Sequence, residues 1–242
     1  TLSDQGGIQT IQKTGLHRTL KEIAKQNIAS NTLMGGNINY RNQGWHIGAT
    51  GFYTSFSLPL TPDQSQLYKR FAPQGYNFWN ASVDYGYVSH RWTIAGETAT
   101  GNCGAIATLN AASYLFSDHF SLLALHRFYS ARYYSLFSNS FSEGSDVQDE
   151  NGAYLGFTWV PAHRWSINAY SDFAYFVWPK YHTKQSTQCW DHLLNILFQP
   201  NKRWILGTRL RYKEKAGTTT GRWRLYATFA EKNWSAKTCV DY

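Results

Sequence analysis

The chain is short of charge. Lys, Arg, Asp and Glu make up 16% of its 242 residues, against about 25% in ordinary soluble domains. Three cysteines, Cys103, Cys189 and Cys239, are too few for a disulfide scaffold, and no CxxC pair suggests zinc or a redox dithiol. No apolar run approaches the roughly 20 residues of a spanning helix, which excludes a helical membrane protein. No charged start running into an apolar stretch marks a signal peptide. Gly-rich phosphate loops and RNP-like motifs are missing, so no direct nucleic-acid binding by this chain is expected. The six prolines, Pro59, Pro62, Pro73, Pro161, Pro179 and Pro200, fall at breaks between alternating segments, because proline cannot donate to a sheet ladder.

What is abundant is aromatic. Trp, Tyr and Phe make up 17% of the chain, yet mean hydropathy is −0.46, the balance being Ser, Thr, Asn, Gln and Gly. A polar, aromatic chain with period-2 alternation leaves soluble all-β folds and membrane β-barrels. The alternation predicts twelve strands, at about 31–42, 44–57, 76–88, 91–100, 105–117, 119–130, 152–160, 164–177, 189–199, 203–215, 221–230 and 234–242. These are long for soluble strands and suit tilted membrane strands of about 9–11 residues with protruding ends. Tight turns at 42–44, 89–91, 117–119, 161–164, 200–203 and 231–233 alternate with long loops at 58–75 and 131–151 and medium ones near 101–105, 178–188 and 214–221. That is the layout of an outer-membrane barrel. Residues 1–30 read as a loop with a short helix near 20–27, since Thr19-Leu20-Lys21-Glu22 fits a capping box.

After each tight turn a large aromatic opens the next strand: Trp45, Trp92, Phe120, Trp165, Trp204 and Trp234. Rings held at one height by six turns have the chemistry of an aromatic girdle at a polar–apolar boundary. Steps of two from these residues read an apolar outer face, such as Trp204, Leu206, Thr208, Leu210 and Tyr212. The same parity turns Asp84, Glu97, Arg127, Asp172, Arg209, Arg211, Arg222 and Arg224 inward. Two readings of these charges stand open. One is a polar channel with a basic wall for anionic solutes. The other is a set of ion pairs that fills and rigidifies the lumen. Net charge is uneven: residues 1–160 balance, and residues 161–242 carry the whole +8.

Other candidates are fewer. Asp146, Asp149 and Glu150 in the 131–151 loop are a possible cation site, since hard cations take clustered carboxylates. A solvated acidic loop is the plainer reading. His17-Arg18-Thr19 reads as a polar latch, and His126, His163, His182 and His192 have no spacing that forces a site, so no enzyme, cofactor or metal centre is expected. Cys103, in a loop, and Cys189, read at the loop end of its strand on the same side, could pair in an oxidising compartment.

Several pieces resemble a known family: Gly15-Leu16-His17-Arg18-Thr19 with Glu22, Gly96-Glu97-Thr98, Arg127-Phe128-Tyr129-Ser130, Phe141-Ser142-Glu143, Glu150 to Gly156, and Ala169 to Phe173. Their order and spacing resemble the helix-hairpin-helix-containing outer-membrane β-barrel proteins of Bacteroidetes. The resemblance covers nearly the whole chain and departs after Trp178-Pro179-Lys180-Tyr181, where this sequence continues His182-Thr183-Lys184-Gln185. It implies an antiparallel transmembrane β-barrel in the outer membrane of a Gram-negative bacterium, with this chain the middle of a longer one. It says little of activity. The expected partners are the lipid bilayer and lipopolysaccharide, with envelope proteins also in view. Function is expected to be that of a channel or transport component with a polar lumen. The alternatives are a non-conducting envelope-assembly barrel and a soluble β-sandwich binding module.

Overall fold

A computed structural model describes residues 6–11 and 18–242. The twelve strands are β1 (Asn31–Asn42), β2 (Trp45–Leu60), β3 (Gly75–Val88), β4 (Trp92–Gly101), β5 (Ala107–Ser117), β6 (Phe120–Tyr129), β7 (Glu150–Trp159), β8 (Trp165–Phe176), β9 (Thr187–Phe198), β10 (Trp204–Lys215), β11 (Thr218–Glu231) and β12 (Trp234–Asp241). All lie in one sheet in chain order, each antiparallel to the next. This is an up-and-down meander of barrel type. A sandwich needs a second packed sheet, and among the described residues there is none. β1 and β12 each pair on one side only and do not meet.

Three local expectations are corrected. Proline is not confined to the breaks: β2 runs through Pro59. The ladder to β3 shifts between Ser55 and Leu60, and β1 has already ended at Asn31 opposite Phe56. The Pro59 nitrogen is therefore asked for no donor, while its carbonyl accepts the Ile8 N–H at 2.7 Å. The connection near 214–221 is a two-residue turn, Ala216-Gly217, with φ of 49° and 80°. Two successive positive φ values give the type I′ geometry that matches strand twist. The helix is one turn, α1 (Leu20–Ile23), with the Thr19–Glu22 capping box in place. Beyond Ile23 the bonding tightens to i→i−3 turns, Lys25 N–H to the Glu22 carbonyl and Gln26 N–H to the Ile23 carbonyl, before Asn27 turns left-handed at φ 57°. His17 lies outside the described residues.

Alternation along the strands sorts side chains into two faces. On one face the six turn aromatics all stand beside another ring. Trp45 meets Tyr87 at 4.5 Å, Trp92 meets Tyr114 at 4.5 Å, and Trp165 meets Phe198 at 4.6 Å. Trp204 and Trp234 flank Phe229 at 4.9 and 5.1 Å, and Phe120 lies 5.4 Å from Phe116. Eight residues further along the same strands come Tyr53, Phe128, Phe173 and Tyr212, a second set of rings on that face. Between the two sets Ile47, Leu155, Leu206, Leu210 and Leu225 are exposed. The opposite face is the buried one. Its apolar clusters sit near the long-loop end: Ile8, Phe56, Leu60, Phe78 and Leu136 in one, Ala107, Tyr129, Tyr133 and Val147 in another, Ala174, Phe176 and Cys189 in a third.

Candidate functional site

The segment between β6 and β7 folds over the inner face rather than away from it. Glu150 and Asn151 belong to β7, so the loop is 130–149. Its anchor is Arg127 near the end of β6, fully buried at 0% exposure, flanked by Glu150 at 2% and Asp172 at 8%. Arg127 grips Asp172 through two parallel bonds, Nη1 to Oδ1 at 2.7 Å and Nη2 to Oδ2 at 3.1 Å. Its Nε donates to Glu150 Oε1. This bidentate fork is the strong form of an arginine–carboxylate pair. Glu150 in turn accepts loop backbone N–H groups, from Glu143 at 2.9 and 3.1 Å and from Gly144 at 2.9 Å. One guanidinium thus holds the wall and the loop together. Phe141 covers it, with Cζ 5.1 Å from the ring centroid.

Room for this arginine comes from Gly152, its register partner on β7. A Cβ there would stand 2.6 Å from Arg127 Cζ and 2.7 Å from the Phe173 carbonyl. Further ties spread the loop over the wall. Tyr129 Oη donates to the Phe141 carbonyl at 2.8 Å. Asn80 Nδ2 donates to the Tyr134 carbonyl at 3.1 Å. Lys213 and Lys215 of β10 reach Glu143 at 2.6 and 3.1 Å. Burial works against charge on Glu143, yet the two ammoniums prevail and hold its carboxyl below the ordinary range.

The loop's acids do not converge. Asp146 is exposed. Asp149, at φ 52°, turns away to accept the Trp178 N–H at 2.9 Å and to face Lys180 Nζ at 3.3 Å. Glu150 is spent on Arg127. The expected cation site of Asp146, Asp149 and Glu150 is therefore corrected: among the described residues no group of three could hold a metal. Burial raises the Asp149 carboxyl above its ordinary range, although the Trp178 N–H and Lys180 pull the other way. Trp178 also donates its ring N–H to the Leu67 carbonyl at 2.8 Å and packs on Phe71 at 4.9 Å. Loops 61–74, 130–149 and 177–186 thus form one cap.

The register places all eight inward charges on one face. Asp84 stands opposite Glu97, and His46 Nε2 lies 3.4 Å from Asp84. Only Arg127 and Asp172 of the eight touch each other. Arg211 pairs with Asp191 and Arg224 with Asp241; both acids, with Glu143 and Glu150, are site residues that parity alone did not single out. Arg209, Arg222 and Glu97 form no ion pair among the described residues. Nor is the inner face polar throughout: Leu109, Leu123, Leu125 and Leu193 share it. Cys189 lies two residues inside β9 rather than at its loop end. It is buried on β9 beside Ala174 and Phe176, Cys103 lies in another cluster, and both are free thiols.

The fold and site define an all-β antiparallel sheet of barrel type, with an aromatic, apolar outer face and a charged inner face under a pinned loop. No family model matches the chain, and no curated protein matches it. A solved structure titled KdgM porin is similar at a TM-score of 0.34 and 9% identity, over 84% of this chain and 98% of that one.

Proposed function

We propose that this chain forms the wall of an outer-membrane β-barrel of a Gram-negative bacterium, serving as a channel or transport component whose lumen is narrowed by loop 130–149. The observation that carries the reading is the outer face. Trp45/Tyr53, Phe120/Phe128, Trp165/Phe173 and Trp204/Tyr212 repeat one spacing, eight residues, on four strands. Eight residues make about 26 Å of strand, or about 20 Å of height at a tilt near 40°, close to an apolar band of about 25 Å. Large aliphatics exposed between two ring bands suit hydrocarbon, whereas a water-soluble surface breaks up such patches. On this reading the outer face meets lipid and lipopolysaccharide. The resemblance to the Bacteroidetes family agrees with that placement.

The test is reconstitution of the purified full chain in planar bilayers. Stepwise conductance is expected, and it should rise when residues 133–147 are replaced by a short Gly-Ser linker. A flat current trace from both proteins would sink the channel reading. One observation favours a second reading. The loop is held by a fully buried guanidinium, a tie strong enough for a permanent plug, as in a non-conducting barrel whose cap binds envelope proteins. In that case only the loop-replaced form conducts.

A further inference from the structure

The loop anchors leave one group of inward residues unused. On β10 and β11 the register sets Arg209 opposite Arg224 and Arg211 opposite Arg222. Like charges directly opposite one another destabilise a sheet, so two such pairs in adjacent positions need an explanation. Half of it is internal. Arg211 Nε donates to Asp191 Oδ1 at 2.9 Å, and Arg224 Nη2 donates to Asp241 Oδ2 at 2.8 Å. Arg209 and Arg222 form no ion pair among the described residues, the nearby Asp241 being gripped by Arg224, and both are exposed on the inner face. They are diagonal neighbours, with Cβ atoms about 7 Å apart. On the other side of Arg209 stands Asn195, whose Oδ1 accepts the Tyr226 hydroxyl at 3.3 Å. Two unpaired planar forks side by side present donors that match carboxylate and phosphate oxygens two at a time.

We propose that Arg209 and Arg222 form a binding site for a small solute carrying two oxyanion groups, carboxylate or phosphate, about 5–8 Å apart, a spacing set by the diagonal of the ladder. The proposal rests on the reading of the inner face as the solute-facing one, but binding does not require that solute to pass.

The test is calorimetric titration of the full chain in detergent micelles at fixed salt, with citrate for the carboxylate arm, tripolyphosphate for the phosphate arm, and acetate and inorganic phosphate as the single-group controls. Saturable binding of citrate or tripolyphosphate, absent for acetate and inorganic phosphate, is expected, and the arm that binds tighter names the oxyanion. R209Q/R222Q should weaken it at least tenfold, while K202Q/R203Q, with the same change in charge at a tight turn, should leave it unaltered. R209K/R222K, which keeps charge and the folded mobility on gels, should lose most of the affinity because it loses the fork. No saturable binding, equal losses in R209Q/R222Q and K202Q/R203Q, or full retention in the lysine variant would each overturn the site. Binding without conductance would support the site and defeat the channel reading.

Discussion

Replacing Arg127 by Met removes the one cation between two buried carboxylates. The trio carries one net negative charge, and Glu150 has further donors in the Glu143 and Gly144 N–H groups. Asp172 has no comparable backbone support, so its carboxylate is left buried and unpaired. Breaking a buried pair from one side costs about 3–5 kcal/mol, or about a hundredfold to several thousandfold in an equilibrium constant. The loss should fall first on loop 130–149, since the guanidinium and Glu150 are its main tie. Two assays read it: the rate of proteolytic nicking within 131–149 and the urea midpoint of the barrel in lipid. Arg127→Met should nick at least a hundredfold faster and unfold at lower urea. Adding Glu150→Gln and Asp172→Asn should restore more than half of the stability, because the damage is the stranded charge. Wild-type nicking and midpoint in the single variant would refute the claim that this cluster pins the loop.

Other consequences are simpler to test. Gly152→Ala should mimic Arg127→Met in the nicking assay, because its methyl would compete with the Arg127 guanidinium and the Phe173 carbonyl for the same space; unchanged protection would mean the backbone gives way. Glu143 contributes a tie that is fully present above the ordinary glutamate range near about 4.3 and is lost as pH falls through its lowered folded value. Nicking should therefore accelerate on acidification below about pH 4.3, and Glu143→Gln should nick faster at neutral pH with that acid response removed. Asp149, with a raised carboxyl, acts with the opposite sign: its penalty is relieved as pH falls, so Asp149→Asn should protect the loop better at neutral pH. Gly217→Val places a β-branched residue at φ 80° and should lower barrel stability by about 1–2 kcal/mol, read as a lower urea midpoint.

How far the sequence carries this account depends on distance along the chain. Strand period and turns are local, and they placed every strand end within three residues of its position in the sheet. Parity is local too, which is why eight charges could be assigned to one face without coordinates. What stayed hidden depends on register across long loops. The 20-odd residues between Tyr129 and Glu150 set no register, so nothing local brings Gly152 opposite Arg127 or Glu150 within its reach. Asp191, read as a strand residue on β9, met Arg211 only once β9 and β10 were aligned. Ala216 hid a tight turn because alanine at positive φ is uncommon. Pro59 misled in the other direction: a bulge made room for a residue that the ladder otherwise rejects.

The central claim is that one face of this sheet meets lipid and the other meets water. It is tested most directly on β10. In a background of Cys103→Ser, Cys189→Ala and Cys239→Ser, cysteines introduced one at a time from 205 to 212 carry a nitroxide label in liposomes. Accessibility to oxygen, which collects in hydrocarbon, is compared with accessibility to a polar nickel chelate. Positions 206, 208 and 210 should favour oxygen and positions 207, 209 and 211 the chelate, alternating with period two. A flat profile, or the chelate reaching both sets equally, would contradict the lipid-facing outer wall and every inward assignment that depends on it.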